Sequence, residues 1–148
     1  WMVTAAGCRS RSQCQASNER FNRMEADLHN MYAALAIIDS ARPKHAFGII
    51  NGEDHLVRPS CDFEHDLLRN LSEPRPLARG NLARSIFYMH TEYHLPIPPA
   101  MVMLLKHWNR EDPPSRHEQR RNQRIEAIQG TRNPFIDQPA LADAIKAP

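Results

Sequence analysis

The sequence is short of cysteine, glycine, lysine and long apolar runs, and each shortage closes off a class of function. Three cysteines in 148 residues, at Cys8, Cys14 and Cys61 with no CxxC-like pair, exclude a closed zinc site. With only five glycines, no glycine-rich loop is present to cradle a nucleotide phosphate. No run approaches the length of about 18 apolar residues that a membrane-spanning helix needs. Methionine is missing from the first position, where Trp1 stands. The chain therefore reads as a processed product or a fragment whose beginning lies elsewhere. No signal peptide is legible, and that absence carries no information.

What is present suits one domain, long enough to bury a real core. The net charge is only +2, but the positive side is 16 arginines against 3 lysines, with 8 histidines in reserve. Arginine's planar fork of donors suits phosphate better than an ammonium does, although an arginine excess also follows from base composition alone. Cys8 and Cys14 flank the polar stretch "RSRSQ" and could close a small disulfide, which would imply an oxidising compartment. Cys61 is then left over, either paired upstream of Trp1 or a buried thiol.

The pattern predicts an α-rich α+β domain. Residues 9–20 read as polar loop and 24–32 as a strand or extended segment. The run "AALAIIDSAR" favours a short helix over 33–42, stopped by Pro43. Two extended stretches are expected about Asn51-Gly52, a hairpin signal, and 73–80 reads as a proline-punctuated connector. A core helix follows from the helical spacing of Leu82, Ile86, Met89 and Tyr93. Another runs from Pro99 to about Trp108. A third opens on a capping box, Ser115 with Glu118, and stops near Gly130. On it Arg116, Arg120 and Arg124 share a face, by default a solvated one.

One stretch resists the bland reading. "MEADLHNMYAALAIID", residues 24–39, sets Asp27, His29 and Asn30 in an otherwise strand-like run and ends an apolar stretch on Asp39. Polar side chains so placed need partners.

"FNRMEADLHNMY", "RGNLARSIFYM", "LLKHWNREDPPS" and "RNQRIEAIQGTRNPFID", in this order over roughly residues 7–139, resemble the bacterial endonuclease I family of periplasmic or secreted non-specific nucleases. The resemblance implies a domain over 1–139 followed by a C-terminal tail, 140–148. It also implies a partial ββα-metal core of the His-Me finger type, gripping one divalent ion, usually Mg²⁺, and cutting DNA and often RNA. In such sites a histidine deprotonates water and the metal neutralises charge on the scissile phosphate.

The same resemblance assigns roles. Asn30 resembles the middle asparagine of the His-Asn-His pattern, which holds the loop. Asp39, nine residues on, resembles the metal ligand; the family generally carries asparagine there. A carboxylate is a hard, charged ligand suited to Mg²⁺, though it adds negative charge beside an anionic substrate. Arg11 matches the arginine before the second loop cysteine that contacts the cleaved phosphate, and a guanidinium there would hold two oxygens. Arg42 is the next candidate phosphate contact. Arg79, Arg84 and Arg132 lie in family blocks, with Arg79 and Arg132 candidates for nucleic acid and scaffold roles favoured for all three. His29 is expected as a packing histidine on its strand.

The family's Glu-His pair, which supplies the base and completes the metal site, lies before a tryptophan that Trp1 matches, so this chain is expected to start after half of its active site. The expectation is thus a metal-dependent endonuclease whose chain alone is inactive, exported to periplasm or medium, monomeric and without membrane contact. The alternative is a catalytically inactive nucleic-acid-binding module of the same fold, held to phosphates by its arginines.

Overall fold

A computed structural model describes residues 1–41, 46–52 and 62–146. The chain opens with α1 (Met2–Ala5), whose end is tied by the Cys8–Cys14 disulfide, Cα–Cα 5.6 Å. Next come α2 (Arg11–Ser17) and α3 (Glu19–Ala26). The loop expected over 9–20 is therefore two helices. The reason is local: the Ser10 hydroxyl accepts the Gln13 amide and the Asn18 side chain accepts the Phe21 amide, so both residues act as N-caps.

The strand expected over 24–32 is also corrected. That segment holds the end of α3 and a 3-10 turn, Leu28–Asn30, capped by Asp27. Phe21, Met24 and Asp27 are buried at intervals of three, a helical period rather than the alternation of a strand. Residues 31–35 are irregular and lead to α4 (Ala36–Ala41). Of the expected ββα core, the helix is there and the 24–32 strand is not.

A small mixed sheet follows, from β1 (Ala46–Phe47), β2 (Phe63–Asp66) and β3 (Leu71–Pro74). Its order is β1-β3-β2, with β1 parallel and β2 antiparallel to β3. β1 and β2 are thus not neighbours, because β3 lies between them; the hairpin expected at Asn51-Gly52 itself would use residues after Gly52 that are not among the described ones. The stretch 53–61, including Cys61, lies outside the described residues. Among the described residues β2 and β3 form a hairpin, where the Asp66 carboxylate accepts the Leu68 and Arg69 amides across the turn.

The rest is helical: α5 (Pro76–Tyr93), α6 (Pro99–Glu111), α7 (Arg116–Gln129) and α8 (Pro134–Asp137). Residues 73–80, expected as a connector, are the end of β3 and the first turns of α5, which tolerates Pro76 at its start because the first helical amide needs no partner. The capping box at Ser115 and Glu118 forms, and Gly130 ends α7 with φ +76°, a left-handed stop that glycine adopts without strain. The segment assigned to a C-terminal tail begins inside a 3-10 turn, Pro139–Ala144, with Ala142 buried in the core. Among the described residues no helix is long and apolar enough to cross a membrane.

The molecule is an α+β single domain whose centre is α5, buried on nearly every side. Phe87, Met89, Leu95, Leu105, Trp108 and Phe135 fill the core around it, joined by Phe21 and Met24 of α3. A charged and polar seam runs through it. Arg84 is fully buried and uses all five donors: Nε and Nη2 form a fork on Glu118 (2.9 and 2.6 Å), Nη1 reaches Asn109 and the Asp112 carbonyl, and Nη2 also reaches Asn81. Gly80 stands beside this seam, where a β-carbon would lie 1.9 Å from the Asp112 carbonyl oxygen. The motif "RGNLAR" is thus a packing device. So is "TRNPF": Asn133 and Asn122 exchange two hydrogen bonds, and the Asn133 amide donates to the Arg84 carbonyl.

Candidate functional site

Arg11 opens α2 inside the Cys8–Cys14 loop, so the disulfide and the Ser10 cap together fix where its side chain starts. The side chain is 70% exposed. Its Nε donates to Glu25 Oε1 on α3 at 2.5 Å, while Gln15 donates to the other oxygen at 2.7 Å. The Gln15 amide and the Arg11 guanidinium hold the Glu25 carboxyl below its ordinary value. The two terminal amino groups of Arg11 make no hydrogen bond among the described residues. A guanidinium held at one nitrogen and open at the others is oriented yet able to take an anion.

Residues 27–32 are pinned from two sides. Asp27 is buried, and its carboxylate accepts the Tyr88 and Tyr93 hydroxyls (2.9 and 2.7 Å), the Gln129 amide and the His29 backbone amide. Burial pushes this carboxyl up, but the four donors outweigh it and hold it below its usual range. His29, also buried, donates Nε2–H to the Thr131 carbonyl and packs its ring 4.5 Å from Tyr88. Burial pulls its pKa down, against the Thr131 carbonyl and Asp27, which favour the charged form. His29 is thus a packing histidine, though on a 3-10 turn rather than a strand. From α7, Arg121 donates to the Leu28 and Met31 carbonyls and stacks 4.6 Å from the Tyr32 ring.

Asn30 therefore sits on a rigid turn. It is half-buried, its backbone amide bonds to Asp27, and its side chain has no partner among the described residues. Asp39 is exposed on α4, which makes no extensive contact with another element among the described residues. Packing thus fixes the turn that carries Asn30, while Asp39 stands exposed on α4. Among the described residues no three His, Cys, Asp or Glu side chains are grouped to hold a metal. One exposed carboxylate falls well short of the near-octahedral oxygen shell Mg²⁺ demands, so the described residues do not by themselves fit a bound ion.

The other candidate arginines differ from Arg11. Arg79 pairs with Glu73 at 2.6 Å, donates to the Pro74 carbonyl and lies over the Trp108 ring. Arg132 is clamped by Asp137 and Glu126 at 2.5 and 2.7 Å. Both guanidiniums are engaged by carboxylates of this chain, Arg79 half-buried and Arg132 at the surface. Arg42 lies outside the described residues.

Sequence reasoning missed a cleft of about 590 Å³ at the end of α5, lined by Arg20, Arg23, Asp27, Tyr93, Gln129 and Thr131 among others. Its floor is the Asp27 network. The legible signal was Asp27 itself, a capping residue directly before a short polar turn.

Residues 9–140 match the sequence profile of the family described as Endonuclease I. The chain belongs to the endonuclease I family. Arg11, Asn30 and Asp39 all fall within the matched span. The chain is 35% identical over 130 residues to an extracellular deoxyribonuclease of Aeromonas hydrophila, covering 86% of this chain and 55% of that protein. To a periplasmic deoxyribonuclease of the same organism it is 33% identical over 130 residues, 86% and 53% respectively. An extracellular ribonuclease of Bacillus amyloliquefaciens is 33% identical over 138 residues, 80% and 46%. The chain spans about half the length of these endonuclease I relatives.

Proposed function

We propose that this chain is the phosphate-binding and scaffolding part of an exported, metal-dependent, sequence-tolerant endonuclease that hydrolyses DNA and also RNA. The observation that carries the reading is Arg11: an exposed guanidinium on a disulfide-tied turn, with its terminal amino groups open, inside the span matched to Endonuclease I. Relatives named as deoxyribonuclease and ribonuclease support both substrates. Relatives named as extracellular and periplasmic support export.

In this reading Arg11 holds two oxygens of the scissile phosphate and stabilises the charge that develops there. Glu25 keeps the guanidinium oriented until phosphate displaces it. Asn30 stands on the turn that Asp27 and Arg121 hold, just before the 31–35 segment. A divalent ion such as Mg²⁺ would neutralise phosphate charge; Asp39 is this chain's candidate ligand, and the remaining ligands, with the base, are assigned to the Glu-His pair that the resemblance places before Trp1. His29, buried and bonded to Thr131, does not replace that base.

The test is relaxation of supercoiled plasmid in Mg²⁺ and in excess chelator, with the chain as given and with a Glu-His strand joined ahead of Trp1. Lack of the base is expected to cost the chain alone about 10²–10⁴-fold in rate. The extended protein should cut in Mg²⁺, stop in chelator, and lose activity with Asp39→Ala or Arg11→Ala. Cleavage untouched by chelator and by Asp39→Ala would overturn the metal assignment. DNA binding with no cleavage in either form would establish the inactive binding module instead.

A further inference from the structure

The outer face of α7 is a row of arginines uncompensated among the described residues. Arg116, Arg120 and Arg124 are exposed and have no ion pair or hydrogen bond among the described residues. Most other arginines are engaged, with Glu25, Asp66, Glu73, Glu118, Asp143 or the Asp137–Glu126 clamp, or with backbone carbonyls. The helix has two carboxylates of its own, and neither is available to this row: Glu118 is buried on Arg84, and Glu126 pairs with Arg132. At four-residue intervals the three guanidiniums rise about 6 Å apart along one face, opposite the buried Glu118, Asn122 and Ile125. Exposed Gln119 and Gln123 stand between them and add neutral donors.

Three like charges at this spacing repel one another by a few tenths of a kcal/mol per pair, a cost that a polyanion along the helix would remove. We propose that this face is a second phosphate-binding surface, apart from Arg11, that holds the backbone of a nucleic acid strand in a sequence-independent way. The choice of nucleic acid among polyanions rests on the nuclease reading. An anionic membrane fits less well, because a helix that lies in a lipid interface needs an apolar face free to enter it, and the apolar side of α7 is buried in the core.

The experiment uses the full chain, a short mixed-sequence DNA duplex and chelator, so that cleavage plays no part. Affinity is measured across a salt series for wild type, R116Q/R120Q/R124Q and R116K/R120K/R124K, each first checked for an unchanged thermal transition. Each lost phosphate contact flattens the log–log salt dependence by about 0.7–0.9, so the glutamine triple should be shallower by about 2–3. Between about 50 and 200 mM salt its affinity should then fall about 20- to 40-fold less than wild type's. The lysine triple should keep the wild-type slope. An unchanged slope in the glutamine triple, or an equal loss in the lysine triple, overturns the proposal. So does wild-type binding to phosphatidylserine vesicles with none to the duplex. Because the assay reads binding alone, it stands apart from the cleavage test: an extended protein that binds DNA through these arginines yet never cuts in Mg²⁺ would remove the nuclease reading and leave this surface standing.

Discussion

Two arginine–glutamate pairs, one in each half of the molecule, have the same chemistry and opposite consequences. Arg84 and Glu118 join α5 to α7 in the core, with side-chain exposures of 0% and 3%. Arg11 and Glu25 join α2 to α3 at the surface, with exposures of 70% and 23%. Away from water an ion pair must satisfy every donor and acceptor, so Arg84 is fully bonded and has nothing left for a ligand. At the surface the pair is screened and weak, so Arg11 can be oriented by Glu25 and still exchange it for phosphate. Arginine count alone is therefore no guide to nucleic-acid binding in this chain; the solvent around each guanidinium decides.

The largest expected break in this comparison is Glu118→Ala. It leaves the Arg84 charge buried without its partner and also removes half of the α7 capping box, and should cost about 3–5 kcal/mol, measured by urea unfolding. A loss below about 1 kcal/mol would mean that the two pairs are equivalent after all. Next, replacing Cys8 and Cys14 together by serine should cost about 2–3 kcal/mol, since the closed loop is short and Cys14 is buried in the core. If the Arg11 loop is held chiefly by the Ser10 cap, the same variant will lose far less.

Acid sharpens the contrast further. Asp27 has its folded pKa lowered, so its contribution is full above the unfolded value near 3.9 and is lost as pH falls through the lower folded value. His29 is also lowered; below its unfolded value near 6.5 the unfolded chain takes up a proton that the native chain resists. Stability should thus decline on acidification, first below about pH 6.5 and again below about pH 4. Thermal melts of Asp27→Asn should lack the second decline, and those of His29→Gln the first. The smallest effect is expected for Glu25→Ala: a stability change of about 0–1 kcal/mol, with DNA affinity unchanged or raised because Arg11 no longer has a competing partner. Weaker DNA binding by Glu25→Ala would show that orientation by Glu25 outweighs competition from it.

How much was legible varied with how local each signal is. The boundaries of α7 were readable at both ends, because the Ser115–Glu118 box and Gly130 act within one turn. The start of α5 was misplaced, because Pro74 and Pro76 look alike as breakers while only their position relative to the first helical turn separates them. The segment 24–32 was misread as extended because its polar residues hid the three-residue interval from Phe21 through Met24 to Asp27. The Cys8–Cys14 bridge was readable as an option from proximity. The sheet order was not, since β3 comes last in the chain and lies between the other two strands.

The sequence by itself determined the α-rich character, the cap and stop of α7 and the family blocks, and offered the Cys8–Cys14 loop as an option, each a signal carried by residues close together in the chain. Only the tertiary structure decided which arginines are buried fasteners and which are open: Arg84 meets Glu118 across 34 positions, and Asp27 collects Tyr88, Tyr93 and Gln129 from as far as 102 positions away. Burial is a property of what other segments do, and a charged side chain's role follows from its burial.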